Sequence, residues 1–325
     1  MPQKLRLKSH ETEPHSVNEA KYLGIEIGGT KLQLVLGNAD ARIVRRWRFQ
    51  VEPAKGGAGI REQILEALPQ IRSAGPISSV GVGFGGPVDW RTGKICCSHQ
   101  IEGWSEFELG AWLQDRTGWP VRIENDANTA ALGEARHGAG IGFDPVFYVT
   151  LGSGVGGGLV VNGQIYHGAI PGEAEIGHLR LDRNGTIVES RCSGWAVDRR
   201  IRRAIEQNPT GTLAKLVGGQ TGGEARHLNE ALRLGDAAAR VVLEETAADL
   251  AFALSHVIHL MHPQRILLGG GLSLLGDTLV NAVRQALPQF VMEAFHPGPS
   301  IHTARLEEDA VPVGALVLAS EKSLR

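Results

Sequence analysis

Cysteine is scarce in this chain: its 325 residues include only Cys96, Cys97 and Cys192. Three thiols at such spacing make no disulfide framework, and reduced side chains in a cytoplasmic protein are the expectation. No apolar run reaches the length of a membrane span. The first twenty residues, MPQKLRLKSHETEPHSVNEA, lack the apolar core of a signal peptide and read as a mobile tail. A formal net charge of −2 leaves no broad basic field, which argues against a nucleic-acid partner. Also missing is the GxxxxGK[ST] spacing of a P-loop, and Gly152-Ser153-Gly154 has no ribose-binding acid placed after it in the Rossmann manner.

Glycine, by contrast, is abundant, and its placement organises the chain. The stretch YLGIEIGGTKLQLVLGN, Tyr22 to Asn38, sets Gly28-Gly29-Thr30 between two apolar runs, the pattern of a hairpin. A third strand is predicted through Ile43 to Val51. Apolar residues at Ile64, Leu65, Leu68 and Ile71 have helical spacing over Arg61 to Arg72, with Pro69 weakening the last turn. SSVGVGFGGPVD reads as a buried strand entering the loop Gly85-Gly86-Pro87. SEFELGAWLQDRTG is an amphipathic helix closed by Gly118, and PVRIEND is a strand that ends on Asn125-Asp126 ahead of a helix over Ala127 to Arg136.

The second half then restarts the design. VFYVTLGSGVGGGLVVNGQIY, Val146 to Tyr166, is again strand, glycine turn, strand, and a long helix over Ala237 to Met261 leads through His262-Pro263 into the strand RILLGGG. Chain length and a hydrophobic content of 42% support two cores, so the expectation is an α/β protein of two units, each opening with a glycine-turned hairpin. A single such loop requires no more than a turn. Two of them, Gly28-Gly29-Thr30 and Gly152-Ser153-Gly154, can face each other across a cleft and offer backbone N–H groups and hydroxyls to a polyphosphate. Gly269-Gly270-Gly271, at the end of an apolar strand, suits the adenosine end of a nucleotide.

GIEIGGTK, GVGFGGPVD, IENDANTAALGEARHGAG, YVTLGSGVGGGLVVNG, GEAEIGH and HPQRILLGGGLS occur in an order that resembles the ROK family of sugar kinases and related repressors, from about Tyr22 to Leu318. That family belongs to the actin-like ATPase superfamily. The resemblance implies a two-lobed actin-like ATPase (ribonuclease H-like) fold, each lobe a mixed sheet flanked by helices, with a cleft between them. It implies an N-terminal lobe of residues 21–124 plus 305–325 and a C-terminal lobe of 125–304, the stretch DAVPVGALVLASEKSL returning as a helix to the first. The implied activity is ATP-dependent phosphorylation of a hexose, at the 6-hydroxyl of glucose or a close relative, with ATP and magnesium as cofactors and a homodimer as the assembly. An N-acetylated or other hexose, polyphosphate as donor, and a non-catalytic sugar sensor acting through a partner are the alternatives. Repressors of the family carry a helix-turn-helix domain ahead of the first loop, and about twenty polar residues cannot form one.

The resemblance also assigns residues. Asp126 is the base that accepts the proton of the attacking hydroxyl. Asn125, Glu175 and His178 bind sugar hydroxyls, with Gly86 and Gln100 beside them. Gly28, Gly29, Thr30, Lys31, Gly152, Ser153, Gly154 and Gly269 to Gly271 hold ATP. Glu26 stands where the family has Asp, and would meet magnesium through water. Family kinases carry a CxCGxxGC zinc loop after the histidine, but GHLRLDRNGTIVESRCSGWAV has no such loop. Aligning SGWAV with the family's SGPAI makes Glu189 the last sugar-binding carboxylate and Cys192 a small helix residue; the other register keeps Cys192 as a zinc remnant. The first register is preferred, with no structural zinc and with His178 oriented by a hydrogen bond from the protein.

Overall fold

Strands β1 (Tyr22–Ile27) and β2 (Lys31–Gly37) set Leu23, Ile25, Ile27 and Leu32, Leu34, Leu36 on one apolar, buried face and the polar Glu26 and Gln33 on the other, whereas β3 (Ile43–Gln50) sets Trp47 on the core face and Arg46 and Arg48 on the opposite one, as an edge strand does. Helix α1 (Gly56–Ser73) starts earlier than its apolar periodicity predicts and runs straight through Pro69. That proline lies on the exposed face, where water can serve the carbonyl that loses its donor. Then follow β4 (Ser79–Phe84), the ribbon β5 (Val88–Asp89) and β6 (Lys94–Ile95), α2 (Leu109–Thr117), β7 (Val121–Asn125) and α3 (Asp126–His137). Gly118 closes α2 in the left-handed conformation, φ 75°. The sheet order is β3-β2-β1-β4-β7: an antiparallel meander continued by two parallel strands.

The computed structural model describes residues 21–98, 101–170, 172 and 174–321. It divides into unit 1, up to Gly133 together with Val311 onward, and unit 2, Glu134–Ala310. Unit 2 holds β8 (Val146–Leu151), β9 (Val155–Val161), β10 (Gln164–Ile165), α4 (Val188–Cys192), α5 (Gly194–Gln207), α6 (Thr212–Val217), α7 (Leu228–Arg233), α8 (Ala237–Met261), β11 (Arg265–Gly269), α9 (Asp277–Ala286) and β12 (Ser300–Thr303). Its sheet order, β10-β9-β8-β11-β12, repeats the plan of unit 1 strand for strand. Helix α8 spans the residues its sequence predicts, because Asp236 caps it by accepting from Ala239 N–H at 2.8 Å and His262 ends it at φ 48°. Its Leu250, Leu254 and Ile258 join Val149, Ile266 and Leu268 of the sheet in one core.

The last helix, α10 (Ala310–Ser320), packs in unit 1. It does so backbone to backbone: a Cβ on Gly314 would lie 1.8 Å from the Thr129 carbonyl of α3, and one on Gly81 of β4 would lie 1.9 Å from the Ala315 carbonyl. Helix α3 itself passes from one unit to the next, since Thr129 packs in unit 1 while the buried Glu134 accepts from Ala139 and Leu306 N–H in unit 2. The division therefore falls inside this helix, where the sequence reading set it at Asn125. No helix among the described residues is long and apolar enough to cross a membrane.

Gly314→Ala and Gly81→Ala should each destabilise the protein by about 1–3 kcal/mol, because the added methyl meets backbone that cannot rotate away. Urea denaturation measures this, and an unchanged midpoint in both variants would contradict the seating of α10.

Candidate active site

The first hairpin turn is built so that two amides are left over. Gly28 N–H donates to the Lys31 carbonyl at 3.0 Å and closes the turn, while the N–H groups of Gly29 and Thr30 make no hydrogen bond among the described residues. Two free donors at a small-residue turn form a concavity suited to an anion. Lys31 Nζ stands 3.2 Å from Glu26 Oε1, and Glu26 Oε2 accepts from Gln33 Nε2 at 2.7 Å. Burial pushes the Glu26 carboxyl above its ordinary range, against the opposing pull of Lys31, Gln33 and Arg46. Gln33, also buried, holds its Oε1 toward Arg46 Nη1 and Arg48 Nε, so the polar pair rests on the outer strand β3. Beneath the turn, Gly28, Gly29, Phe84, Gly85, Ile101 and Trp104 line a small recess.

Asn125 and Asp126 sit where β7 becomes α3. Asn125 Oδ1 accepts from Ala127 and Asn128 N–H at 2.8 and 3.1 Å, which is a helix cap, and its Nδ2 donates to the Gly86 carbonyl at 3.2 Å. The side chain expected to bind sugar therefore also fixes the glycine loop, with one amide hydrogen still to place. Asp126 is half-buried as the first residue of α3, and its Oδ2 would lie 3.4 Å from a Cβ on Gly85. Two residues that motif reading passes over hold this junction: buried Glu124 accepts from Asn125 N–H at 2.9 Å and from Asn128 Nδ2 at 3.2 Å. A carboxylate and an amide four residues apart, one in the strand and one in the helix, give no motif that would single them out. Trp104 was passed over as well: buried and edge-to-face with Phe84 and Phe107, it walls the recess with an indole. Gln100 lies outside the described residues.

The second turn repeats the first. Gly152 N–H donates to the Gly154 carbonyl at 2.9 Å, and the N–H groups of Ser153 and Gly154 have no partner among the described residues. Glu189, in the first turn of α4, accepts from Val155 N–H at 3.0 Å, and a Cβ on Gly154 would come within 2.5 Å of its Oε2. This carboxylate thus lies against the turn, and Cys192, at the other end of α4, is in the core. Burial pushes the Cys192 thiol up to about 12. Glu175 precedes and His178 ends a short 3-10 turn, Ile176–His178, both exposed; Gly177 between them allows the close approach, since a Cβ there would lie 2.0 Å from the Val155 carbonyl. The imidazole of His178 has no hydrogen bond among the described residues, so the expected orienting partner is not found there.

Between His178 and Glu189 the chain closes on itself. Leu181 N–H donates to the Thr186 carbonyl at 2.8 Å, and Asp182 Oδ1 accepts from Asn184 and Thr186 N–H at 2.7 and 3.1 Å. Hydrogen bonding by Thr186 holds the exposed Asp182 carboxyl below its ordinary range. No three His, Cys, Asp or Glu side chains gather around a metal position among the described residues. The third glycine run joins the second turn through the sheet: Gly269 pairs with Thr150, and a Cβ on Gly270 would lie 2.7 Å from Leu151 backbone atoms. The start of α5 joins them too, as Gly194 N–H donates to the Gly152 carbonyl at 2.7 Å and Ser193 Oγ caps the helix by accepting from Ala196 N–H. Within each unit the predicted residues converge: Glu26 to Lys31 with Gly85, Gly86, Asn125 and Asp126 in unit 1, and Gly152 to Gly154 with Glu189 and Gly269 to Gly271 in unit 2.

Known proteins with the same organisation were found by sequence and by structure. The chain is 32% identical over 319 residues to a glucokinase from Halalkalibacterium halodurans, covering 93% of this chain and 96% of that one. A glucokinase from Thermotoga maritima is 30% identical over 310 residues, with 93% and 98% covered. A crystal structure of a ROK family glucokinase from Streptomyces griseus, in complex with glucose and AMPPNP, superimposes with a TM-score of 0.80 at 30% identity, covering 92% of this chain and 98% of that one. The two sheets of matching strand order are those of the actin-like ATPase fold. The sequence profile of the ROK family matches residues 22–322, and with these likenesses the chain belongs to the ROK family.

Proposed function

We propose that this protein is a sugar kinase that transfers the γ-phosphate of ATP to a hexose hydroxyl, the 6-hydroxyl of glucose or a close relative, acting as a cytoplasmic homodimer. The observation that carries the reading is the repeated turn: in both hairpins the first glycine closes the loop and the next two amides stay unpaired. Paired anion cradles on one chain suit a polyphosphate, and the relatives named glucokinase supply the sugar.

The chemistry asks little covalent work of the protein and much positioning. The sugar oxygen bonds to the γ-phosphorus as the bond to the β,γ-bridging oxygen breaks, ADP leaves with that electron pair, and the Asp126 carboxylate takes the hydroxyl proton. Gly29, Thr30, Ser153 and Gly154 offer donors to the phosphates, and Lys31 adds a positive charge. Asn125, Glu175, His178 and Glu189 receive sugar hydroxyls, with Gly86 and Gln100 alongside. Magnesium comes with the nucleotide as part of the substrate, neutralising phosphate charge, and needs only one or two protein carboxylates. Glu26 fits that demand through water alone, since its oxygens already serve Lys31 and Gln33.

Asp126→Asn should lower kcat by about 10²–10⁴-fold in a coupled assay with ATP, magnesium and glucose while sugar binding stays close to the parent's, because the amide keeps the shape but cannot take a proton. Turnover near the parent rate would remove Asp126 from the role of base. Glu189→Gln should raise the sugar KM about tenfold with a smaller effect on kcat, the loss of one charge-assisted hydrogen bond; an unaltered KM would reopen the register that makes Cys192 the relevant residue. With His178 exposed and the Asp182 turn closed by its own hydrogen bonds, activity and Tm should survive a zinc-selective chelator at saturating magnesium. Elemental analysis that finds one zinc per chain, lost together with activity, would refute this.

A further inference from the structure

Five of the six tryptophans are engaged by another ring or an arginine: Trp47 under Arg45, Trp90 beside Arg91, Trp104 against Phe84, Trp112 against Phe107 and Trp119 under Arg72. Trp195 is the exception. It is 61% exposed and has no ring, cation or hydrogen-bond partner among the described residues. An indole left in water forgoes a large apolar burial, so a ligand or partner that covers it binds with that gain.

Its position says which. The preceding residue, Gly194, donates its N–H to the Gly152 carbonyl at 2.7 Å, so Trp195 starts one residue from the turn whose Ser153 and Gly154 amides are unpaired. The strand-end glycines meet the same turn, with Gly270 against the Leu151 backbone. Ser153, Gly270 and Gly271 are exposed, and a Cβ on Gly271 would have no atom within 4 Å. Beside the second turn there is thus exposed glycine backbone and, one residue beyond the Gly194–Gly152 hydrogen bond, an exposed indole.

We propose that Trp195 is a binding residue for the purine base of the nucleotide donor. Its indole stacks on the base while Ser153 and Gly154 N–H hold the phosphates, and it thereby favours a nucleoside triphosphate over a donor that has no base. The inference rests on the reading that the second turn binds phosphate. Stacking of a base on an aromatic side chain is sequence-tolerant and large enough to see by truncation to alanine. Lying in the first turn of a capped helix and exposed, Trp195 can be truncated without opening the core.

The test is equilibrium titration of the full chain with ATP and, separately, with inorganic tripolyphosphate, alongside steady-state kinetics. Trp195→Ala should weaken ATP binding and raise the ATP KM about tenfold, with kcat and the sugar KM within about twofold of the parent and tripolyphosphate binding unchanged. Trp195→Phe should recover most of the loss. If ATP binds Trp195→Ala as tightly as the parent, the base platform is wrong while the kinase reading stands. Equal weakening for ATP and tripolyphosphate would make Trp195 a support of the turn and also overturn the proposal. A parent protein that binds neither ATP nor tripolyphosphate would overturn both this inference and the functional reading beneath it.

Discussion

Direct contact between backbones, possible only where a side chain is missing, is the constraint on which both units depend. In unit 1 the carbonyl of Thr129 occupies the space a Cβ would need on Gly314, and this lets the last helix lie on α3 and on β4. In unit 2 the carbonyl of Val155 does the same at Gly177, drawing the Glu175–His178 segment onto β9. A methyl group at either place would separate elements that now touch, and the side chains they carry would separate with them. Site geometry here is set by close approach of main chain more than by large apolar side chains.

Electrostatics supplies the second layer. The first turn places a lysine and a carboxylate within ion-pair distance and then buries the carboxylate, a combination that would be costly without Gln33 and the arginines of β3 behind it. Glu189 has a different setting, bound to a backbone N–H at the edge of the second turn. The two acids near the two turns are thus held by different means: one is locked between Lys31 and Gln33, the other is anchored by a single backbone amide, its second oxygen without a hydrogen bond among the described residues.

Much of this was legible from the amino-acid order because it rests on local rules. Strand pairs around Gly28 and Gly152, the helix start at Asn125-Asp126 and the ends of α8 follow from turn chemistry, capping and periodicity, and they lie where those rules put them. What escaped depends on contacts between distant segments. Pro69 weakened a helix prediction that the solvent-facing side of α1 tolerates. Glu124 and Asn128 look like ordinary polar residues until the strand and helix they join are folded. Likewise Gly194 is only the second residue of a helix start in the sequence, and its hydrogen bond to Gly152, which brings Trp195 to the second turn, belongs to the tertiary structure.

The burial of Cys192 carries a consequence for how the second unit can be observed. With its thiol pushed up to about 12 by burial and its sulfur enclosed by α4 and α8, Cys192 stays a neutral thiol at neutral pH and none of its side chain faces solvent. An alkylating reagent therefore meets this sulfur only when the core around α8 opens. Cys192 is in effect a built-in clock for that opening, silent in the closed state and chemically readable each time the helices part.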